Sequence, residues 1–251
     1  LHKIFTKTLF LGKIVHFLPQ CHSTNEEAQK LLKNNNTIEG EVVIAKTQLS
    51  GKGQRGNTWE SEPGKNLTFS IILKPSSIKI SDQFGLHVIT SLAMYDALYS
   101  ILGKKMKIKW PNDIYYEDRK LGGILIENAI RANSIENAII GIGLNVNQTE
   151  FSIAKATSLA EICLQNFDLN DMLESILVNL EKRYLKVKLD GIGQFFDQYK
   201  LRLYKYQTQH LFKDTSGSIK GKIVNIDKSG RLMIETDGQI RSYSFKEVEF
   251  L

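Results

Sequence analysis

The stretch MKIKWPNDIYYEDRKLGGILIENAIRANSIENAIIGIGLNV, residues 106–146, decides the fold class. Its apolar and β-branched residues fall into four short runs, 106–110, 114–116, 121–129 and 138–146. Turn chemistry separates them at Pro111-Asn112-Asp113 and again at 131–134. A parallel crossover needs a dozen or more residues, and several of these connections are shorter than that. Neighbouring runs therefore read as hairpins, and the sheet they build is mixed or antiparallel, not doubly wound.

Upstream of this stretch, 13–17 reads as a short strand followed by a turn through 18–22. Ser23-Thr24-Asn25-Glu26 has the form of a capping box, with Ser23 as cap and Glu26 three positions on. The helix it opens carries Leu31 and Leu32 and finds a terminator in Asn34-Asn35-Asn36. Residues 41–47 (EVVIAKT) and 66–73 (NLTFSIIL) are strands on either side of a polar, glycine-rich loop, 48–65. Ser81 or Asp82 is placed to cap a helix to about Leu102, with Phe84, Val88, Leu92, Tyr95 and Leu98 along one face. Downstream, 159–163, 171–189 and 195–203 are helical. From about Thr208 the helical period is gone, and 218–226, 231–235 and 239–245 read as short strands. Asp227-Lys228-Ser229-Gly230 and Thr236-Asp237-Gly238 join them, and Asp-Gly favours a tight hairpin. The reading is α+β: a mixed sheet with helices on one side over 1–205, then a small SH3-like β-barrel over 206–251.

The 251 residues are 42% hydrophobic and 24% charged, ordinary proportions for a globular chain. Cys21 and Cys163 stand without C-x-x-C spacing or a histidine cluster, which argues for a reducing compartment and against a disulfide frame or structural zinc. Lys7, Lys13 and His16 interrupt the apolar run 5–18, and Pro19-Gln20 replaces the small residues of a signal cleavage site. No uninterrupted apolar run approaches 18 residues, so the expectation is a cytoplasmic chain without a membrane span. The net charge of +6 calls for an anionic partner or for a basic, solvated surface.

Gly51-Lys52-Gly53-Gln54-Arg55-Gly56 matches G-x-G-x-x-G, but Pro63-Gly64 follows where a dinucleotide fold needs a helix, and no phosphate-loop Gly-Lys-Ser/Thr is present. What remains is either a flexible hairpin or a loop whose amides, with Lys52 and Arg55, hold an anion. Trp59 at its end is either a core anchor or a stacking surface for a purine. Lys109-Trp110-Pro111-Asn112-Asp113 is good turn sequence in its own right; read functionally, Lys109 neutralises phosphate and Asp113 ligates Mg²⁺ through oxygen. Lys120-Leu121-Gly122-Gly123 and Gly141-Ile142-Gly143-Leu144-Asn145 place glycines inside strands, where they weaken pairing unless something must approach closely.

Taken together, Ser23-Thr24-Asn25, Gln48, the glycine loop with Trp59, KWPND at 109–113, KLGGIL at 120–125 and GIGLNVN at 141–147 resemble biotin–protein ligases in order and approximate spacing. The resemblance covers most of 13–147, and the β-rich tail fits it too. Only about 22 residues precede Ser23, so the resemblance is to the monofunctional branch without an N-terminal DNA-binding domain, and no specific DNA binding is expected. The resemblance implies ATP and Mg²⁺ as cofactors and biotin as substrate. It also implies a biotin carboxyl carrier protein or domain as partner; a homodimer is left open.

By position, it implies that Ser23, Thr24 and Gln48 hydrogen-bond the ureido ring and that the acyl arm lies along Gly122–Gly123. Lys120 would face the carboxylate and then the adenylate, and Lys52, Arg55 and Lys109 would surround the phosphates. Asp113 would hold Mg²⁺, and Trp59 and Asn145 the adenine. Asn25, Gly51, Gly53, Gln54, Asn112 and Gly143 belong to the same implied binding set, and Lys120, Arg55 and Lys109 to the catalytic one. Bringing a carboxylate to a triphosphate joins like charges, so a site dense in cations is what the chemistry demands. Gln54 departs from the family loop, where a second basic residue is common. A ligase for lipoate or another acyl group is the rival of the same class, and a nucleic-acid-binding module the rival of another.

Overall fold

The computed structural model describes residues 5–34 and 36–251, with Arg55 described by its backbone alone. In chain order the first elements are β1 (Val15–Leu18), α1 (Thr24–Lys33), β2 (Val42–Ala45), β3 (Gly51–Lys52), β4 (Thr58–Trp59), β5 (Leu67–Leu73) and α2 (Phe84–Leu102). Next come β6 (Met106–Lys109), β7 (Asp113–Tyr116), β8 (Arg119–Arg131), β9 (Ser134–Leu144), α3 (Leu159–Cys163), α4 (Leu169–Asp190) and α5 (Gln194–Leu201). The tail is β10 (Gln209–Asp214), β11 (Gly217–Ile226), β12 (Leu232–Thr236), β13 (Gln239–Tyr243) and β14 (Glu249–Phe250).

The four runs at 106–146 form the expected meander, β6 to β9, each strand antiparallel to the next. Ala132 and Asn133, both at positive φ, make the two-residue turn that returns β8 into β9 with Arg131 opposite Ser134. The complete sheet has seven strands in the order β1-β2-β5-β9-β8-β7-β6, mixed because β1 runs parallel to β2. Along β5 the two-residue period sorts the faces: Leu67, Phe69, Ile71 and Leu73 join the core that contains α2, while Ile72 packs with Ala28 of α1. Thus α1 lies on the face opposite α2, α4 and α5, correcting the expectation of helices on one side only. The site described below sits on this α1 face, beside the N-terminus of α1, where Ser70 is buried against Thr24 and Asn25 and Thr68 lines the cavity.

α2 is apolar on nearly every side. Only Tyr99 and Ser100 are exposed, because the sheet covers one side and α4 and α5 cover another. By length and composition the span Ile80–Lys105 could cross a membrane, but 72% of its most apolar window is buried inside the fold, which makes it a core helix. Its N-cap is Gln83 after a 3₁₀ turn, not Ser81 or Asp82, and no side chain caps it. Ser23 does precede α1 but makes no capping hydrogen bond. Instead the Thr24 N–H donates to Gln48 Oε1 at 2.8 Å and Glu26 pairs with Lys52, so tertiary partners have replaced the local box. Asn34 closes α1, and Asn35 lies outside the described residues.

The tail is a five-stranded antiparallel sheet in the order β13-β12-β11-β10-β14. Asp237-Gly238, both at positive φ, form its predicted tight turn. Among the described residues its edge strands β13 and β14 do not pair with each other, so it is an open sheet and not a closed barrel. β10 and β14 were not legible in the sequence; both pair through Phe212, buried against Phe250. The tail shares the main core, and Phe245 packs on both Phe84 and Trp110. The Trp110 indole N–H donates to the Gly230 carbonyl at 2.9 Å, fastening the tail to the KWPND turn.

Candidate active site

The α1 face of the sheet carries a floor in which half of the positions are glycine. Register places Thr68, Gly143 and Gly123 in one row across β5, β9 and β8, and Ser70, Gly141 and Leu125 in the next. What stands over the glycines explains them. A Cβ on Gly141 would lie 3.0 Å from Asn25 Cγ, with Oδ1 closer still, and a Cβ on Gly143 would lie 2.6 Å from Trp59 Cζ2. Both glycines are therefore required by close approach, from α1 in one case and from the glycine loop in the other.

A cavity of about 50 Å³ opens over this floor. It is lined by Ser23, Thr24, Asn25, Gln48, Lys52, Gly53, Gln54, Trp59, Asn112, Asp113, Lys120, Gly123 and Gly143, together with Thr68, Leu125 and Gly141. A second cavity of about 630 Å³ lies between the glycine loop, the KWPND turn and the tail. It shares Gly53, Gln54, Trp59, Asn112, Asp113 and Lys120 with the first and adds Lys109, Lys155, Phe245, Lys246 and Phe250. The two meet at an ion pair, Lys120 Nζ to Asp113 Oδ1 at 2.8 Å. The Lys120 ammonium also stands 5.7 Å from the Trp59 ring centre.

Each wall is pinned locally. Asn112 donates to the Ile124 carbonyl at 2.6 Å and its own carbonyl accepts from the Ile124 N–H, which ties the KWPND turn to β8. Lys109 sits in the second cavity, donating to the Tyr115 hydroxyl at 3.1 Å beside the Phe250 ring. Burial pushes the Lys109 ammonium below its usual range, opposed by Asp113 and Glu249. Burial likewise pushes the Tyr115 phenol up to about 12, helped by Asp113. The glycine loop is a small β3–β4 hairpin around a 3₁₀ turn at Gln54–Gly56, and Lys52 anchors it to α1 through Glu26 at 2.7 Å. The Trp59 indole N–H is enclosed with no hydrogen-bond partner among the described residues, a donor left for a ligand.

Most residues singled out in the sequence thus come together, and several do not. The Arg55 side chain lies outside the described residues. Gly122 faces the other side of the sheet, where a Cβ would meet Gly143 O at 2.9 Å and Met94 at 3.3 Å, so it serves packing against α2. Gly51 packs inside the hairpin against Trp59. Asn145 lines neither cavity; its amide donates to the Thr157 carbonyl at 3.0 Å and holds the connection after β9 in place. Thr68 and Ser70 were missed, although two hydroxyls at period two in an apolar strand mark one face. Lys155 and Phe250 carry no local signal and reach the second cavity only through the tertiary fold. Among the described residues no cluster of three acidic, histidine or cysteine side chains could hold a metal.

A glycine-floored cleft joined at a lysine–carboxylate pair to a cation-lined cavity has the charge to bring two anions together. The Biotin/lipoate A/B protein ligase family model matches residues 17–145, and the chain belongs to that family as a ligase. The bifunctional ligase/repressor BirA of Bacillus spizizenii is 30% identical over 97% of this chain and 76% of its own length. The biotin–[acetyl-CoA-carboxylase] ligase of Mycobacterium tuberculosis is 26% identical over 88% of this chain and 82% of its own. Among solved structures, the biotin protein ligase of Aquifex aeolicus in complex with biotin and ATP superposes with a TM-score of 0.78 at 28% identity, covering 94% of this chain and 98% of that one.

Proposed function

We propose that this ligase forms biotinyl-5′-AMP from biotin and Mg·ATP and then biotinylates a lysine of a biotin carboxyl carrier domain. One observation carries the reading: the narrow glycine-floored cavity and the broad cationic one share Lys120 and Asp113. An acid lying in the first brings its carboxylate to Lys120, while a triphosphate in the second brings its α-phosphorus to the same point. The carboxylate oxygen attacks that phosphorus, the bond to the β-phosphate breaks, and pyrophosphate leaves. Lys120 stabilises the charge that gathers on the phosphoryl oxygens, where a fixed cation in a water-poor site acts most strongly. A neutral lysine amine of the carrier then attacks the acyl carbon and AMP departs.

The Asp113 carboxylate fits a Mg²⁺ held mainly by phosphate oxygens and water, since that ion commonly takes only one or two protein carboxylates. When bound there, Mg²⁺ supplies charge neutralisation for the triphosphate. Trp59, which is partly buried and lines both cavities, suits stacking on adenine. The catalytic domain would span 1–205, with 206–251 closing the nucleotide side. The free thiols Cys21 and Cys163 support a reducing compartment such as the cytoplasm.

Pyrophosphate release with Mg·ATP and either biotin or lipoate tests the reading directly. Release with biotin, and little with lipoate, is the expected result. Release with lipoate alone would transfer the chain to the other activity named in its family.

A further inference from the structure

Behind the narrow cavity runs a chain of short hydrogen bonds that ends on a carboxylate. Asn25 Nδ2 lies 2.6 Å from Glu127 Oε2 and 3.5 Å from the Leu125 carbonyl. Asn25 Oδ1 lies 2.6 Å from Ser70 Oγ, and Ser70 Oγ lies 2.8 Å from Thr24 Oγ1. Asn25, Ser70 and Thr24 are all buried, at 3%, 0% and 4% exposure, and Thr24 lines the cavity.

The proton count along this chain leaves one arrangement. The Glu127 carboxylate and the Leu125 carbonyl only accept, so the amide of Asn25 must turn its N–H₂ toward them. Its oxygen, also acceptor-only, then faces Ser70. Either contact of Ser70 Oγ could draw its hydroxyl proton, but there is only one, and Asn25 Oδ1 has none to offer in return. The Ser70 proton therefore goes to Asn25. The contact between Ser70 and Thr24 consequently runs from the Thr24 hydroxyl to Ser70 Oγ. That leaves Thr24 Oγ1 facing the cavity with lone pairs alone. Gln29, whose Nε2 approaches Glu127 Oε1 at 3.3 Å, adds a second donor to the carboxylate and keeps it in place.

We infer that Glu127 is a specificity-determining positioning residue: through Asn25 and Ser70 its charge fixes Thr24 as a hydrogen-bond acceptor, so that the site selects an acid whose ring presents an N–H at that point. The inference rests on the biotin reading above, and it explains a carboxylate beneath a pocket that must bind an anion. The substitution Glu127→Gln removes the constraint. The new amide could donate its own N–H₂ to Asn25 Oδ1, the Asn25 amide would turn over, every bond of the relay would reverse, and Thr24 would present a proton.

The test uses biotin and its two cyclic carbamate analogues, each with one ring N–H replaced by oxygen, titrated calorimetrically into the wild type and Glu127→Gln. A site built around an N–H donor rejects an analogue lacking it by large factors. The wild type should therefore bind one of the two carbamates at least about 100-fold more weakly than biotin. In Glu127→Gln that ratio should fall below about 10-fold, because Thr24 can now donate to the ring oxygen. Ser70→Ala, which cuts the relay without touching the charge, should lower the ratio in the same way and serves if Glu127→Gln fails to fold. An unchanged ratio in both variants, whatever their absolute affinities, would overturn the relay, since a merely structural role or a loss of charge shifts all three ligands alike. Failure of the wild type to bind biotin at all would instead overturn the biotin reading, and the relay with it.

Discussion

Replacing Gly143 with alanine separates what the glycine floor does for the ligand from what it does for the fold. The new Cβ would stand 2.6 Å from Trp59 Cζ2 and 2.8 Å from Cδ2, whereas ordinary contact begins at 3.4 Å. One partner has to withdraw by about 1 Å, more than a packed neighbour gives without cost. β9 cannot, because Gly143 is paired with Thr68 of β5 on one side and with Gly123 of β8 on the other. Trp59 can, because β4 is only two residues long and the side chain is not fully buried. The stability loss should therefore stay below about 1 kcal/mol, short of the roughly 1–3 kcal/mol usual for overpacking a rigid core. The displaced ring would lose the stack on adenine proposed for it, worth about 1–3 kcal/mol, so ATP binding should weaken by about 5- to 150-fold. Gly141→Ala is the comparison. There the Cβ meets Asn25, which Glu127 and Ser70 hold from both ends, and the cost should appear as instability and in the biotin side of the site, with ATP binding unaffected. Urea unfolding and ATP calorimetry on both variants read the difference. If Gly143→Ala is as unstable as Gly141→Ala and binds ATP normally, Trp59 is a core anchor and the stacking role is wrong.

Lys120→Ala should slow pyrophosphate release by on the order of 10²–10³-fold, the usual loss on removing a key electrostatic donor, and near-normal release would take Lys120 out of the mechanism. Gln54 lacks the charge that guards an anionic adenylate, and charge-assisted hydrogen bonds are roughly twice as strong as neutral ones. Gln54→Arg should therefore slow escape of preformed biotinyl-AMP in stopped flow by about tenfold, or 1.4 kcal/mol; an unchanged off-rate would show that the loop already has its cation. Burial holds His87 down to about 4, against an ordinary value of 6.5 that it regains on unfolding. The unfolded chain thus takes up a proton that the folded chain refuses, and stability should be complete above pH 6.5 and fall as pH drops toward 4. The loss is at most about 3 kcal/mol, an upper bound because the residue as a whole is only half-buried. His87→Phe, which preserves the stack on Phe84, should flatten that part of the urea-unfolding profile, and an unaltered slope would assign acid sensitivity elsewhere.

Local pattern was enough for the strands of the meander and for most of the residues that line the two cavities. The runs at 106–146 carried both the β-branched composition and the turn residues of their hairpins, so the meander was legible, as were the Asp237-Gly238 turn and α4 to within two residues. Capping failed for a physical reason. Ser23 and Glu26 have the right spacing for a box, but the Thr24 amide found Gln48 and Glu26 found Lys52, partners more than twenty residues away that no local window contains. β10 and β14 failed similarly: each is mixed in composition, and each becomes a strand only through a tertiary partner, β10 along its whole length against β11 and β14 at Phe250 against Phe212 of β10.

The sequence by itself determined the family, the mixed sheet, and the residue types gathered at the cleft, because these follow from side-chain chemistry and from order along the chain. It could not say which side of a strand a glycine faces. Gly122 and Gly123 are neighbours in sequence, yet the pleat sends one into α2 and the other into the cleft, and a bulge between Ile114 and Tyr115 helps set that register. Nor could it join Glu127 to Thr24, since the direction of a hydrogen bond depends on every other proton in its chain. Only the tertiary structure, which brings α1, β5 and β8 to one point, decides that.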